Sequence, residues 1–232
     1  MVKIGIVKQN YHRLISNKKM ATVIEKVPFE VYAELTPNPN SMKFVTSVML
    51  LEGGVVEYQT KEEAINSPIA AQLFDFSGIK KIFITSNFIT VTKESEIDWY
   101  DITNILREFI RGFLSSGEKI FIGSPFDKDH IAAKKTETLV IETKSDVSTE
   151  IYEADPETDA KIIQLLEEYV KPAVEGDGGA IHFQSYVNGV VSVVLKGSCS
   201  GCPSSTLTLK SGIENLLKRM VPGVKEVVAV AG

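Results

Sequence analysis

The chain has 232 residues, 44% hydrophobic and 24% charged, with a formal net charge of −5. That length holds one large domain or two small ones, and the composition is that of an ordinary globular protein. The acidic balance speaks against a nucleic-acid or anionic-membrane binder. No apolar run reaches the roughly 18–20 residues of a membrane-spanning helix, and two cysteines make no disulfide framework.

Residues 1–20 carry Lys3, Lys8, Arg13, Lys18 and Lys19 and no acidic residue. This reads as a solvated extension, or as an upstream start ahead of Met20; an organelle-targeting segment would share the basic, acid-poor character. No apolar core of a secretory signal follows. Phe29 to Leu35 alternates as a strand does, and Thr36-Pro37-Asn38-Pro39-Asn40 is a turn signal. Met42 to Leu51 is a second extended run, broken by Gly53-Gly54 and resumed from Val55 to Tyr58. Ser67-Pro68 reads as a helix cap followed by the first helical residue. That helix would bury Ile69, Leu73 and Phe74 or Phe76 and end near Gly78. Ile79–Thr85 and Phe88–Thr92 predict a hairpin around Ser86-Asn87. Ile102, Ile105, Leu106, Phe109, Ile110 and Phe113 then mark one face of a helix over Trp99–Ser115.

Residues 123–154 are polar and without helical period, apart from a possible short strand at Thr138–Ile141, and read as a linker. Asp155-Pro156 opens a helix whose buried face is Ile162, Leu165, Leu166, Tyr169 and Val170, ending near Lys171-Pro172. After the turn Glu175–Gly179, Ile181, Phe183, Ser185 and Val187 share one strand face, opposite His182, Gln184 and Tyr186. Asn188-Gly189 is a two-residue hairpin signal, with Val191, Val193 and Leu195 inward on the next strand. Leu209, Ile213, Leu216, Leu217 and Met220 mark a further helix, stopped by Val221-Pro222-Gly223, and Val224–Val230 is a last strand. The expectation is an α+β chain of two small α+β domains joined by a long linker. It divides into an extension (1–28), a sheet with helices on one face (29–122), the linker (123–154) and an α-β-β-α-β unit (155–232).

Cys199 and Cys202 are the only cysteines, set in Gly-Ser-Cys-Ser-Gly-Cys-Pro-Ser-Ser between a strand and a helix. A C-x-x-C pair without a secretory signal points to a reducing compartment, here the cytoplasm, and to metal or redox chemistry. Two thiolates can chelate a soft metal, exchange with a disulfide, or remain inert. Free N–H groups at a helix start favour the thiolate, and Gly197 and Gly201 let the backbone turn its N–H groups towards the sulfurs. Lys196 and Lys210 can add positive charge. A four-thiolate site needs four sulfurs, so a second chain must complete any such site here. His182 reads as solvated, His12 and His130 have no partner pattern, and Asp177-Gly178-Gly179 reads as a turn. No nucleophile–base constellation, P-loop or dinucleotide fingerprint is present.

These residues carry a family resemblance. Lys171-Pro172-Ala173-Val174, Asp177-Gly178-Gly179, the block Leu195–Ser205, Ile213-Glu214 and Val221-Pro222-Gly223-Val224 resemble the NifU-like C-terminal domain of Nfu-type iron–sulfur cluster scaffold and carrier proteins. Thr36–Asn40 with Lys43-Phe44, Ser67-Pro68-Ile69-Ala70, Leu73-Phe74 and Asn87–Thr92 resemble the Nfu N-terminal domain. Ala180 and Asn87 stand where many relatives carry Asp. The resemblance implies a [4Fe–4S] cluster bridging a homodimer, held by Cys199 and Cys202 of each chain, and transfer of that cluster to apo-proteins, without enzymatic catalysis. Upstream cluster-assembly proteins are further expected partners, and the N-terminal domain, which has no cysteine and no evident catalytic group, is expected to recognise partners. The competing expectation is a dithiol–disulfide oxidoreductase using the same two cysteines.

Overall fold

A computed structural model describes residues 29–126, 156–200 and 203–231. The extension, the 138–141 strand and Cys202 lie outside the described residues. Five strands form the first sheet: β1 (Val31–Leu35), β2 (Ser41–Thr46), β3 (Leu51–Tyr58), β4 (Ile79–Ser86) and β5 (Phe88–Lys93). Helix α1 (Pro68–Leu73) stands between β3 and β4, and α2 (Trp99–Ser116) follows β5. The order across the sheet is β1-β2-β5-β4-β3, with every neighbouring pair antiparallel.

Period-two alternation divides this sheet into two faces. Met42, Phe44, Val56, Tyr58, Ile82, Ile84, Ile89 and Val91 form one buried cluster with Ile69 and Leu73 of α1 and Ile102, Leu106, Ile110 and Phe113 of α2. Phe83, Phe88, Val45 and Val55 belong to a separate small cluster on the opposite face. Asp98 caps α2 by accepting a hydrogen bond from the Tyr100 N–H at 2.9 Å, and Gly117 ends it. The Met42–Leu51 run is not one strand: the chain leaves β2 at Thr46 and re-enters the sheet at Leu51. Gly53-Gly54 is a bulge within β3, where the pairing with β4 shifts register. Ser67 begins α1 without a side-chain cap, because its hydroxyl donates instead to the Ile120 carbonyl at 3.0 Å.

The second domain runs α3 (Pro156–Leu165), a π turn (Leu166–Val170), α4 (Lys171–Gly176), β6 (Gly179–Val187), β7 (Val190–Gly197), α5 (Pro203–Met220) and β8 (Glu226–Ala231). Helical winding does not stop at Lys171-Pro172. It widens by a π turn just before Pro172, the residue with no N–H to give the helix ladder, and continues to Gly176. That turn leaves Tyr169 exposed instead of on the buried face. β6 and β7 form the expected hairpin, with φ of 52° at Asn188 and 87° at Gly189, and β8 runs parallel to β7. A register shift between Phe183 and Ser185 overturns the simple alternation expected for β6. Tyr186 turns into the core and Val187 out to solvent. Val191, Val193, Leu195, Ile213 and Leu217 are buried as expected, whereas Met220 is exposed.

Candidate functional site

Cys199 sits where its sequence context places it, in the loop between β7 and α5. The loop leaves the sheet where β6 begins, because Gly179 pairs with Gly197 across the two strands. Both positions need glycine. A Cβ on Gly179 would lie 2.7 Å from Cys199 Sγ, and one on Gly197, whose φ is +69°, would lie 2.6 Å from the Gly178 carbonyl oxygen. The two strand ends therefore close to backbone contact, and the thiol lies directly over the start of β6.

Cys199 is only 5% exposed and packs into the apolar cluster of the second domain. Burial pushes its thiol pKa up; the Ser198 hydroxyl draws it down, and the nearby Asp177 carboxylate adds to the rise. Burial therefore works against the thiolate form of Cys199 in this arrangement. Ser198 Oγ lies 3.7 Å from Cys199 Sγ and also donates to the Asp177 carbonyl. The turn expected at Asp177-Gly178 is present, with the Asp177 N–H bonded to the Ala173 carbonyl at 3.0 Å. His182 is exposed, as expected, and His12 and His130 lie outside the described residues. Lys210 is engaged with Glu226 at 3.2 Å.

The groups that hold the loop come from the first domain, from its five-stranded sheet and from the turn between β1 and β2. Gly197 donates its backbone N–H to Glu57 Oε1 at 2.8 Å, so that N–H points at a carboxylate and not at the sulfur. Asn38 Nδ2 donates to the Ser198 carbonyl at 3.1 Å, and Lys81 Nζ donates to Ser200 Oγ at 2.7 Å. Thr90 Oγ1 donates to the Gly178 carbonyl at 2.7 Å, and Lys43 Nζ to that of Gly176 at 3.2 Å. Lys81 and Glu57 also pair with each other at 3.5 Å. Beside these bonds, Ala180 completes the small apolar cluster of Phe83 and Phe88. Of the hydrogen-bonding residues, Asn38, Lys43 and Thr90 lay in segments the sequence singled out, whereas Glu57 and Lys81 did not, and none was assigned to the cysteine loop. Glu57, Lys81 and Thr90 look like ordinary outward strand positions until the second domain is seen against them.

Among the described residues, no three His, Cys, Asp or Glu side chains gather into a site able to hold a metal ion. Cys199 offers a thiol, a donor type that suits a soft metal. No helix among the described residues is long and apolar enough to cross a membrane.

Comparison with known proteins shows what the chain is similar to. Residues 31–117 match the family described as "Scaffold protein Nfu/NifU N terminal", and residues 162–228 match the "NifU-like domain". The Arabidopsis thaliana protein named "NifU-like protein 4, mitochondrial" is 36% identical over 199 residues, 85% of this chain and 64% of that protein. The human "NFU1 iron-sulfur cluster scaffold homolog, mitochondrial" is 37% identical over 194 residues, 83% of this chain and 68% of its own length. The chain thus spans about two thirds of the length of these relatives. The solution structure of a NifU-like protein from Saccharomyces cerevisiae aligns with 47% of this chain and 98% of its own, at 18% identity and a TM-score of 0.39. With both domain families matched in order and a human relative aligned over most of the chain, the protein belongs to the Nfu-type, NifU-like family of iron–sulfur cluster scaffold proteins.

Proposed function

We propose that this protein carries a [4Fe–4S] cluster between two copies of the chain, bound by Cys199 and Cys202 of each, and passes it to apo-proteins. One observation carries the reading: the chain has two cysteines, both in one C-x-x-C loop, and four thiolates are needed to ligate such a cluster. Two chains supply four. The relatives named as cluster scaffolds support the same role.

The chemistry is ligand exchange and not catalysis. An acceptor thiol loses its proton and bonds to a cluster iron as one donor Cys–iron bond breaks, and the departing donor sulfur takes up the proton. Repeated at each iron, the exchange moves the cluster without changing its oxidation state. Short loops that share the cargo between two chains favour such stepwise release. The reading requires a compartment that keeps thiols reduced; the cytoplasm expected from the sequence and the mitochondrion named for the relatives both meet that need.

Native mass spectrometry of anaerobically purified protein, with an absorption spectrum of the same sample, tests the proposal. The expected result is a dimer heavier by one four-iron, four-sulfide unit, with broad visible absorbance. A metal-lacking monomer that only gains and loses two hydrogens with redox state, even after iron and sulfide are supplied, would overturn it in favour of dithiol–disulfide exchange.

A further inference from the structure

We propose that the outer face of the five-stranded sheet is a binding surface for the cysteine loop, and that its occupant in the cluster-lacking chain is the loop of the same molecule, so that docking and cluster bridging exclude each other. The contact itself stands on the geometry alone; its consequence for cargo rests on the cluster-bridging reading above.

Several observations show a surface shaped to this loop. The loop is gripped on both sides of Cys199, by Glu57 at Gly197, Asn38 at Ser198 and Lys81 at Ser200. The preceding turn is held as well, by Thr90 at Gly178. In each case a side chain of the first domain meets a backbone or hydroxyl group of the second with matching donor and acceptor. Phe83, Phe88 and Ala180 are all buried at the same seam, with Lys43 Nζ 4.8 Å from the centre of the Phe88 ring. The outward-facing Phe83 has no exposure at all, and Ala180 of the second domain joins Phe88 of its own sheet in covering it.

The grip is incompatible with a shared cluster for two reasons. Ser198, Cys199 and Ser200 are each less than a tenth exposed, so a second chain cannot bring its own cysteines to this sulfur. Glu57 also places a carboxylate on the loop's N–H, where an anionic thiolate-ligated cluster would meet a like charge. Undocking removes that carboxylate, frees the Gly197 N–H and lets the loop turn outward.

Alkylation of the apo full-length chain tests this without any cluster. Iodoacetamide labelling is followed at Cys199 and Cys202 separately, by peptide mass spectrometry under reductant. The variants are Ala180→Asp, which places a charge against Phe83 and Phe88, and the double variant Lys81→Ala with Thr90→Val, which removes two cross-domain hydrogen bonds with little change of core volume. Small-angle scattering reports the spacing of the two domains. The expected result is Cys199 labelling accelerated by about tenfold or more in both variants, the scale of losing two ordinary hydrogen bonds, with a larger radius of gyration and unchanged circular dichroism. Should Ala180→Asp fail to fold, the double variant decides alone. Labelling rates and radii equal to wild type in the folded variants would overturn the proposal, whatever the cluster-binding result.

Discussion

The two faces of the five-stranded sheet are buried by different means. On the inner face, α1 and α2 cover a continuous apolar cluster running from Val31 to Leu114. On the outer face the apolar contact shrinks to Phe83, Phe88 and Ala180, with Val45 and Val55 beside it, and most of the remaining contact is made by side-chain hydrogen bonds from Asn38, Lys43, Glu57, Lys81 and Thr90. Apolar burial has no substitute in water, whereas water can replace each of those polar bonds at small net cost. The inner face is therefore a permanent core, and the outer face is built to part.

Substitutions that set one face against the other sharpen this contrast. Leu106→Ala, at a fully buried position of α2, should have the largest effect, about 2–5 kcal/mol of stability lost in urea unfolding. Tyr58→Phe comes next. The Tyr58 hydroxyl donates to buried Asn66 Oδ1 at 2.8 Å, and its removal should cost about 1–2 kcal/mol. Tyr58 also gives a pH signature. Burial raises its pKa from 10.0 to about 12, so the folded state holds the proton more tightly than the unfolded chain. Its contribution is complete below pH 10 and fades as pH rises towards 12, and Tyr58→Phe should flatten alkaline unfolding in that window. Asp98→Ala, which removes the α2 cap, should cost about 1 kcal/mol. Thr90→Val on the outer face should have the smallest effect on unfolding of the sheet domain, below about 1 kcal/mol, because its lost partner, the Gly178 carbonyl, belongs to the other domain. A loss as large as that of Leu106→Ala would make the outer face part of the same core.

Much of this was legible in the sequence where one local rule governs. The 3–4 spacing from Ile102 to Phe113 gave α2, Asn188-Gly189 gave the β6–β7 turn, and the strand–cysteine–helix context located the Cys199 loop. It failed where distant segments decide. The register shift that turns Tyr186 inward and the π turn that exposes Tyr169 break the periodicity on which the reading depended. The Ile, Val, Phe and Thr content of β4 and β5 predicted strands, but it did not reveal that Phe83 and Phe88 would be covered by a second domain. Nor could the residue order show that Glu57, 140 positions before Gly197, would take that residue's N–H. The raised pKa of Cys199 follows from packing, which the helix-start argument does not contain.

The most direct test of the central claim, that the cluster is shared between chains, mixes equal amounts of isotopically heavy and light protein, unfolds and reconstitutes them together with iron and sulfide, and weighs the products by native mass spectrometry. The account predicts that every cluster-bearing species is a dimer holding one four-iron cluster, that heavy–light pairs make up about half of them by random pairing, and that Cys199→Ser or Cys202→Ser removes all of them. Cluster-loaded monomers, or dimers that persist unchanged in the serine variants, would contradict it.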